Sequence, residues 1–99
     1  MAEALPAEQI EQALGSLPGW SLEEDKLKKT FSFDSFKEAM GFMVRVGFEA
    51  EAHGHHPELF NVYSKVEVGL STHDAGGQVT AKDTALAEAI ESVNWIPQK

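Results

Sequence analysis

The four histidines of the chain lie close together in the sequence. His53, His55, His56 and His73 all fall within a window of 21 residues. Imidazole ordinarily changes its protonation state near neutral pH, so a group of histidines suits general acid–base catalysis. Because His55 and His56 lie at one helix–strand joint and His73 follows a later strand, we expect these three to converge on a site of proton transfer.

Two carboxylates accompany the histidines. Glu51 precedes His55 by four residues, so on a last helical turn it pairs with that imidazole or orients it. Asp83 occupies the third position of the last predicted helix, where a carboxylate is more often a cap than a catalyst. The chain has no cysteine, which excludes thiolate catalysis and disulfides, and no serine stands in a recognisable nucleophile motif.

Two other interpretations of the histidines remain open at this point. Clustered histidines can bind a metal ion, although the spacing here matches no zinc motif. Gly54 and Pro57 also interrupt the helix that would hold a pair of ligands. Histidines at loop ends can equally be ordinary surface residues.

The elements that carry these residues are predicted in the order α-β-β-α-β-β-α. Apolar spacing predicts three helices. The first covers residues 7–14, and the second runs from a cap at Asp34 or Ser35, with Glu38, to about Ala52. The third begins at a capping box formed by Thr80 and Asp83. Alternating residues predict strands at 20–22, 27–33, 58–63 and 66–72, with Ser64 and Lys65 as a hairpin turn. This order is typical of the α+β class, with an antiparallel sheet and the three helices packed on one face.

The second predicted helix is apolar over an unusually large part of its circumference. Its narrow polar stripe holds Glu38, Arg45 and Glu49. The apolar remainder includes Phe36, Ala39, Met40, Met43, Val44, Val46 and Phe48. A helix that rests on one sheet needs an apolar stripe only about 100° wide. Part of this helix is therefore expected to contact another subunit or to be deeply buried within the monomer.

Length and charge limit the classes of function. The 99 residues predict a single domain over 1–99, and a formal net charge of −8 disfavours direct binding to nucleic acid or to an anionic membrane. Residues 1–6 have no basic start and no long apolar stretch, so no secretory signal is predicted. By elimination, the expected location is cytoplasmic.

A longer motif links the two segments that carry the histidines. It runs Glu51-x-x-x-His55-His56-Pro57-Glu58-x-Phe60-Asn61-Val62-Tyr63-x-Lys65-Val66 and continues at Ser71-Thr72-His73. This motif resembles that of the pterin-4a-carbinolamine dehydratases, a family also known as the dimerisation cofactor of a homeodomain transcription factor. The resemblance extends from Pro18-Gly19-Trp20 to the last helix.

The resemblance implies a fold and a reaction. The fold is α+β with a four-stranded antiparallel sheet, assembled as a homodimer or homotetramer. The reaction is that of a hydro-lyase, which removes water from 4a-hydroxytetrahydropterin to give quinonoid dihydropterin. This step recycles the cofactor of aromatic amino acid hydroxylases, so such a hydroxylase is an implied partner. The family reaction requires no metal and no organic cofactor.

The resemblance also implies roles for individual residues. His55, His56 and His73 become the catalytic set, with His56 and His73 as the acid and base nearest the pterin, in either order. The residues implied to line the pterin site are Gly54, His55, His56, Pro57, Ser71, Thr72, His73 and Asp74. Glu51 and Asp83 take supporting roles.

Two departures from the family pattern, and one rival function, accompany the resemblance. Leu59 stands where the family usually has tryptophan. The stretch from His73 to Asp83 is one residue longer than expected, which predicts a bulge near Gly76 and Gly77 and makes the match of Asp83 less secure. The rival function is a non-enzymatic module that stabilises the dimer of a partner protein, although a pure scaffold has no need of three histidines.

Overall fold

The elements follow one another in the predicted order in a computed structural model, which describes residues 3–94. They are α1 (Ala7–Leu14), β1 (Ser21–Glu23), β2 (Lys26–Ser32), α2 (Phe36–His53), β3 (Glu58–Val62), β4 (Lys65–Leu70) and α3 (Ala81–Val93), with a short 3-10 helix (His73–Ala75) between β4 and α3. The predicted domain of residues 1–99 includes residues 1–2 and 95–99, which lie outside the described range.

The four strands form one antiparallel sheet in the order β1-β2-β4-β3. The register pairs Leu27 with Leu70 and Phe31 with Val66, so the alternating apolar residues of β2 and β4 face the same side. All of these residues are fully buried. The α+β class and the four-stranded antiparallel sheet are therefore confirmed.

The helices bury their apolar residues against this face of the sheet. The Phe42 ring of α2 lies 4.5 Å from the Phe31 ring between centroids, and Ile10 of α1 and Leu86 and Ile90 of α3 join the same buried cluster. Aromatic pairs at this separation gain dispersion energy beyond the area that they bury. A single core thus fixes where α2 ends and where α3 begins relative to the sheet.

The helix caps explain why α2 and α3 start where they do. The Ser35 hydroxyl accepts from the Glu38 amide at 3.2 Å, as predicted. The Glu38 carboxylate accepts from the amide of Asp34, however, so the reciprocal half of the predicted box falls one residue earlier. The capping box of α3 forms as predicted, with the Asp83 carboxylate accepting from the Thr80 amide at 2.9 Å.

The second hairpin turns one residue earlier than predicted. Val62 pairs with Lys65, so the turn is Tyr63–Ser64 and not Ser64–Lys65. Tyr63 takes a left-handed φ of 53°, and the Asn61 side-chain amide donates to the carbonyls of Tyr63 and Lys65. These two bonds satisfy the turn carbonyls and outweigh the preference of tyrosine for a strand.

The outer strand ends also differ from prediction. β4 ends at Leu70 and not at Thr72, because Thr72 leaves the sheet and pairs with Gln78 instead. β1 begins at Ser21, and Trp20 lies before it as a buried core residue whose ring nitrogen donates to Glu91. Strand pairing therefore stops at residues that form hydrogen bonds outside the sheet, Thr72 with Gln78 and Trp20 with Glu91.

The first hairpin closes on a polar turn of two residues, Glu24 and Asp25. Glu24 and Asp25 both have left-handed φ angles, and Lys28 donates to the Glu24 carboxylate at 3.1 Å. This hydrogen bond lowers the pKa of Glu24 and raises the pKa of Lys28. Both side chains are at the surface, so solvent screens the pair and it contributes little to stability.

One stripe of α2 remains uncovered in the monomer. Phe36, Met40, Val44 and Phe48 recur every fourth residue, and Phe48 is 72% exposed. The opposite side of the helix is buried through Ala39, Phe42, Val46 and Ala50. Deep burial within the monomer therefore accounts for only one side of the helix. Within residues 3–94, none of the helices has the length and apolarity that crossing a membrane requires.

Candidate active site

The end of α2 turns the chain so that the two adjacent histidines leave the helix. Gly54 adopts a left-handed φ of 61°, and the amides of Gly54 and His55 donate to the carbonyls of Glu51 and Ala50. This pair of bonds is the Schellman arrangement that ends helices at glycine. Because an L side chain is strained at that φ, Gly54 is what allows His55 to point away from the helical stripe.

The segment after β4 curls back in a tight loop. The Thr72 amide donates to the Gln78 carbonyl at 2.9 Å, and the Gly77 amide donates to the Thr72 carbonyl at 3.0 Å. Gly76 and Gly77 have φ angles of 69° and 77°, so the predicted bulge is present at these glycines. The loop presents His73 at the start of its 3-10 helix, on the same side as the end of α2.

These two segments and the start of α3 line an open cavity of about 250 Å³. The residues around it are Gly54, His55, His56, Ser71, Thr72, His73, Asp74 and Lys82. The three histidines that the sequence predicted to converge thus line one cavity, together with every other predicted lining residue except Pro57. His53 does not line it, because its ring lies along α2 and contacts the Glu49 carbonyl at 3.0 Å.

His55 is held by a buried carboxylate from the first turn of α3. Its Nε2 lies 2.5 Å from Oδ1 of Asp83, a residue that is 0% exposed. Asp83 also accepts from the Thr72 hydroxyl at 2.8 Å and from the Thr80 amide at 2.9 Å, both at Oδ2. A buried carboxylate that accepts from two donors at one oxygen is fixed in position, so the imidazole bound at its other oxygen is fixed as well. The helix-cap interpretation of Asp83 is therefore correct but incomplete.

Glu51, which the sequence predicted as the partner of His55, binds His56 instead. Glu51 binds Nε2 of His56 at 2.8 Å, and the predicted Glu51–His55 pair does not form. The i,i+4 spacing held only while the helix continued, and Gly54 ends it before His55. Both members of the Glu51–His56 pair are largely exposed, with 78% and 70% of their side-chain surface accessible.

Sequence reasoning missed two residues of this region. Lys82 lines the cavity from the first turn of α3, and the buried Thr80 hydroxyl lies 2.7 Å from that of Thr72. A Thr at a helix start signals a cap, and nothing in the sequence alone indicates its partner across the loop. The metal interpretation of the histidines lacks a suitable group of ligands within residues 3–94. In the described part of the chain, no three His, Asp or Glu side chains are grouped as metal ligands would be.

Leu59, the departure from the family pattern, lies away from the cavity. It sits on the edge strand β3 opposite Val68 and is 38% exposed. Leu59 is not one of the residues that line the cavity.

Comparison with known proteins places this site in a family. The model of the family "Pterin 4 alpha carbinolamine dehydratase" matches residues 3–93. A protein of Opitutus terrae is 56% identical over 96 residues, which cover 97% of this chain and 99% of that protein. A protein of Rhodopseudomonas palustris is 52% identical over 95 residues, covering 94% and 93% of the two chains. Both are named "Putative pterin-4-alpha-carbinolamine dehydratase".

A solved structure supports the same assignment. The crystal structure of a transcriptional coactivator/pterin dehydratase from Brucella melitensis superposes with a TM-score of 0.84 at 34% sequence identity, covering 90% of this chain and 96% of the other. The family match spans both histidine segments and Asp83. This chain therefore belongs to the pterin 4 alpha carbinolamine dehydratase family, which makes it a hydro-lyase.

Proposed function

We propose that this protein dehydrates 4a-hydroxytetrahydropterin to quinonoid dihydropterin by histidine general acid–base catalysis. The observation that carries the proposal is the meeting of three imidazoles around one cavity, from two segments that are separated by the whole of β3 and β4. A packing role does not need three titratable rings at an open cavity, whereas proton transfer does.

The chemistry requires two proton movements and no change of oxidation state. An acid protonates the C4a hydroxyl, the C4a–O bond breaks, and water leaves. The lone pair of a ring nitrogen forms the new C=N bond, and a base removes the proton from that nitrogen. Each positioned acid or base of this kind contributes about 10²–10⁴-fold to the rate.

The site offers groups for both movements. The rings of His56 and His73 are accessible at the cavity, and we assign them as the acid and base nearest the pterin, in either order. His55 is the third member of the set and is anchored by Asp83. A cavity of about 250 Å³ is slightly below the range of drug-sized ligand sites, about 300–1,000 Å³, and suits a compact bicyclic ring.

The test is dehydration of synthetic 4a-hydroxytetrahydropterin followed by stopped-flow absorbance. His56→Ala and His73→Ala should each slow kcat by roughly 10²-fold or more, because each removes one proton-transfer group. His53→Ala is the matched control, since His53 lies on the same helix end but outside the cavity. Thermal melts of all three variants check that the fold is retained.

Unchanged rates in both cavity variants would reject these roles. An inactive wild-type protein would instead favour the rival function, a module that stabilises a partner protein's dimer. The anchored His55–Asp83 pair supports catalysis over that alternative, because a scaffold gains nothing from an oriented imidazole.

We also propose that the uncovered stripe of α2 (Phe36, Met40, Val44 and Phe48) binds a second copy of the chain in a homodimer or homotetramer. Contiguous exposed apolar residues on a helix mark an interaction surface. Phe48→Asp places a charge at the most exposed residue of that stripe, so it should shift the mass measured by sedimentation to that of a monomer. A variant that keeps the wild-type mass would contradict this assembly.

The cellular context stays a prediction from the sequence. It comprises a cytoplasmic location, a role in recycling tetrahydropterin, and an aromatic amino acid hydroxylase as the enzyme that forms the substrate. The net charge of −8 supports the expectation of no direct contact with nucleic acid or anionic membrane.

A further inference from the structure

Beside the cavity, four hydrogen bonds link Lys82, Thr80 and Thr72 to Asp83. The Lys82 amide donates to the Thr80 hydroxyl at 3.2 Å. The two threonine hydroxyls are 2.7 Å apart, and the Thr72 hydroxyl donates to Oδ2 of Asp83 at 2.8 Å. The Thr80 amide donates to the same oxygen. Thr72 and Thr80 are only 3% and 2% exposed, so water does not compete for these groups.

Counting protons fixes the direction of this chain. A threonine hydroxyl has one proton to donate. Thr72 gives its proton to Asp83, so Thr80 must donate to Thr72 and accept from Lys82. If Asp83 were protonated and donated to Thr72, the Thr80 hydroxyl would receive two protons and its own would have no acceptor in the network. These bonds therefore exclude a proton on Oδ2 of Asp83, and the place of Asp83 in the first turn of α3 favours the ionised carboxylate.

An ionised Asp83 also determines which nitrogen of His55 carries a proton. The Thr72 hydroxyl and the Thr80 amide both donate to Oδ2 of Asp83, which leaves Oδ1 as the acceptor for His55. An ionised carboxylate only accepts, so Nε2 of His55 must be the protonated nitrogen. In the neutral ring, Nδ1 is then the nitrogen with a free lone pair.

We propose that Thr72, oriented by Thr80, is a positioning residue that keeps the Asp83 carboxylate as a hydrogen-bond acceptor for His55. It thereby fixes His55 as the Nε2–H tautomer. Any proton that neutral His55 takes from a molecule in the cavity then goes to Nδ1. This assignment gives Thr72 a role different from direct contact with the pterin, because its hydroxyl is already committed to Asp83. The consequence for catalysis rests on the proposed function, whereas the tautomer does not.

The first arm of the test measures the tautomer in the wild-type protein. Long-range ¹H–¹⁵N spectra of histidine-labelled protein, recorded above the titration range of the rings, distinguish Nε2–H from Nδ1–H. Assignment uses the single His variants. His55 should carry its proton on Nε2, and a proton on Nδ1 would overturn the proposal whether or not the protein is active.

Asp83→Asn tests the direction of the chain. The amide oxygen must face the two donors, Thr72 and the Thr80 backbone, so its NH₂ group faces His55. We expect the His55 proton to move to Nδ1 in this variant. A ring that keeps its Nε2 proton would show that the threonines do not impose the direction.

The kinetic arm compares two substitutions of Thr72 that separate the hydroxyl from the methyl group. Thr72→Val keeps the volume and loses the donor, so kcat should fall about tenfold or more, with KM changed less than about twofold. Thr72→Ser keeps the donor and should stay within about threefold of the wild-type kcat. Thr84→Val is the control, because that hydroxyl donates to the Ala81 carbonyl in the same turn of α3 and takes no part in the chain to Asp83.

The outcomes separate the competing roles of Thr72. A packing role would make Val better tolerated than Ser, and direct pterin binding would raise KM while kcat stayed unchanged, so either result would overturn the proposal. Melting curves check that the variants fold. If Thr72→Val does not fold, the His55 tautomers measured in the wild type and in Asp83→Asn still test the proposal. An inactive wild type with the expected tautomers would refute the proposed function and leave the positioning intact.

Discussion

Two adjacent histidines each bind a carboxylate, and the two pairs differ almost completely in environment. His55 and Asp83 keep 10% and 0% of their side-chain surface exposed, whereas His56 and Glu51 keep 70% and 78%. The buried pair has further donors on its carboxylate, whereas among residues 3–94 no second donor reaches the Glu51 carboxylate. Identical chemical groups thus produce a fixed imidazole in one case and a solvated one in the other.

The difference originates in the backbone at the end of α2. Gly54 turns the chain, which sends His55 towards the start of α3 and leaves His56 beside the last turn of its own helix. A long-range partner buried in the core is held by everything that packs around it, whereas a local surface partner is held only by its own rotamers. We therefore expect the two carboxylates to differ sharply in their importance to the reaction.

Asp83→Asn should have the larger effect on catalysis. It replaces the acceptor of His55 with an amide that favours the wrong tautomer, and such changes reduce kcat on the order of 10²–10⁴-fold. Steady-state kinetics on the carbinolamine, with a melting curve for the fold, measure this. A loss smaller than about threefold would mean that the orientation of His55 does not matter to the reaction.

Glu51→Gln makes the matching carboxylate-to-amide change in the exposed pair and should have a smaller effect. Solvent already screens this pair, and exposed ion pairs contribute little, so kcat should change by no more than about fivefold. The same assay, run beside Asp83→Asn, gives the comparison directly. Equal losses in the two variants would contradict the distinction between a fixed and a solvated imidazole.

The fold was predictable because each local signal agreed with the packing. Alternation on β2 and β4 placed Leu27, Phe31, Val66 and Leu70 on one face, and the structure buries all of them. Errors arose where a single side chain overrode the pattern. Asn61 moves the second turn to Tyr63, and Thr72 leaves β4 to pair with Gln78.

The site was predictable as a group of residues but not as a network. Motif and chain order brought His55, His56 and His73 to one cavity, since all three lie at ends of elements. Partner choice was not predictable, because it depends on the direction in which the chain leaves Gly54. The threonine chain to Asp83 likewise joins residues 8 and 11 positions apart, across a loop whose course no sequence pattern specifies.

The most direct test of the account is a titration with an unreactive tetrahydropterin, monitored through the ring ¹H–¹⁵N signals of all four histidines. One cavity lined by three imidazoles predicts that His55, His56 and His73 shift together with a single binding constant, while His53 stays unchanged. Binding that moves His53 equally, or that leaves any of the three cavity histidines unaffected, would contradict the assignment of this cavity as the pterin site.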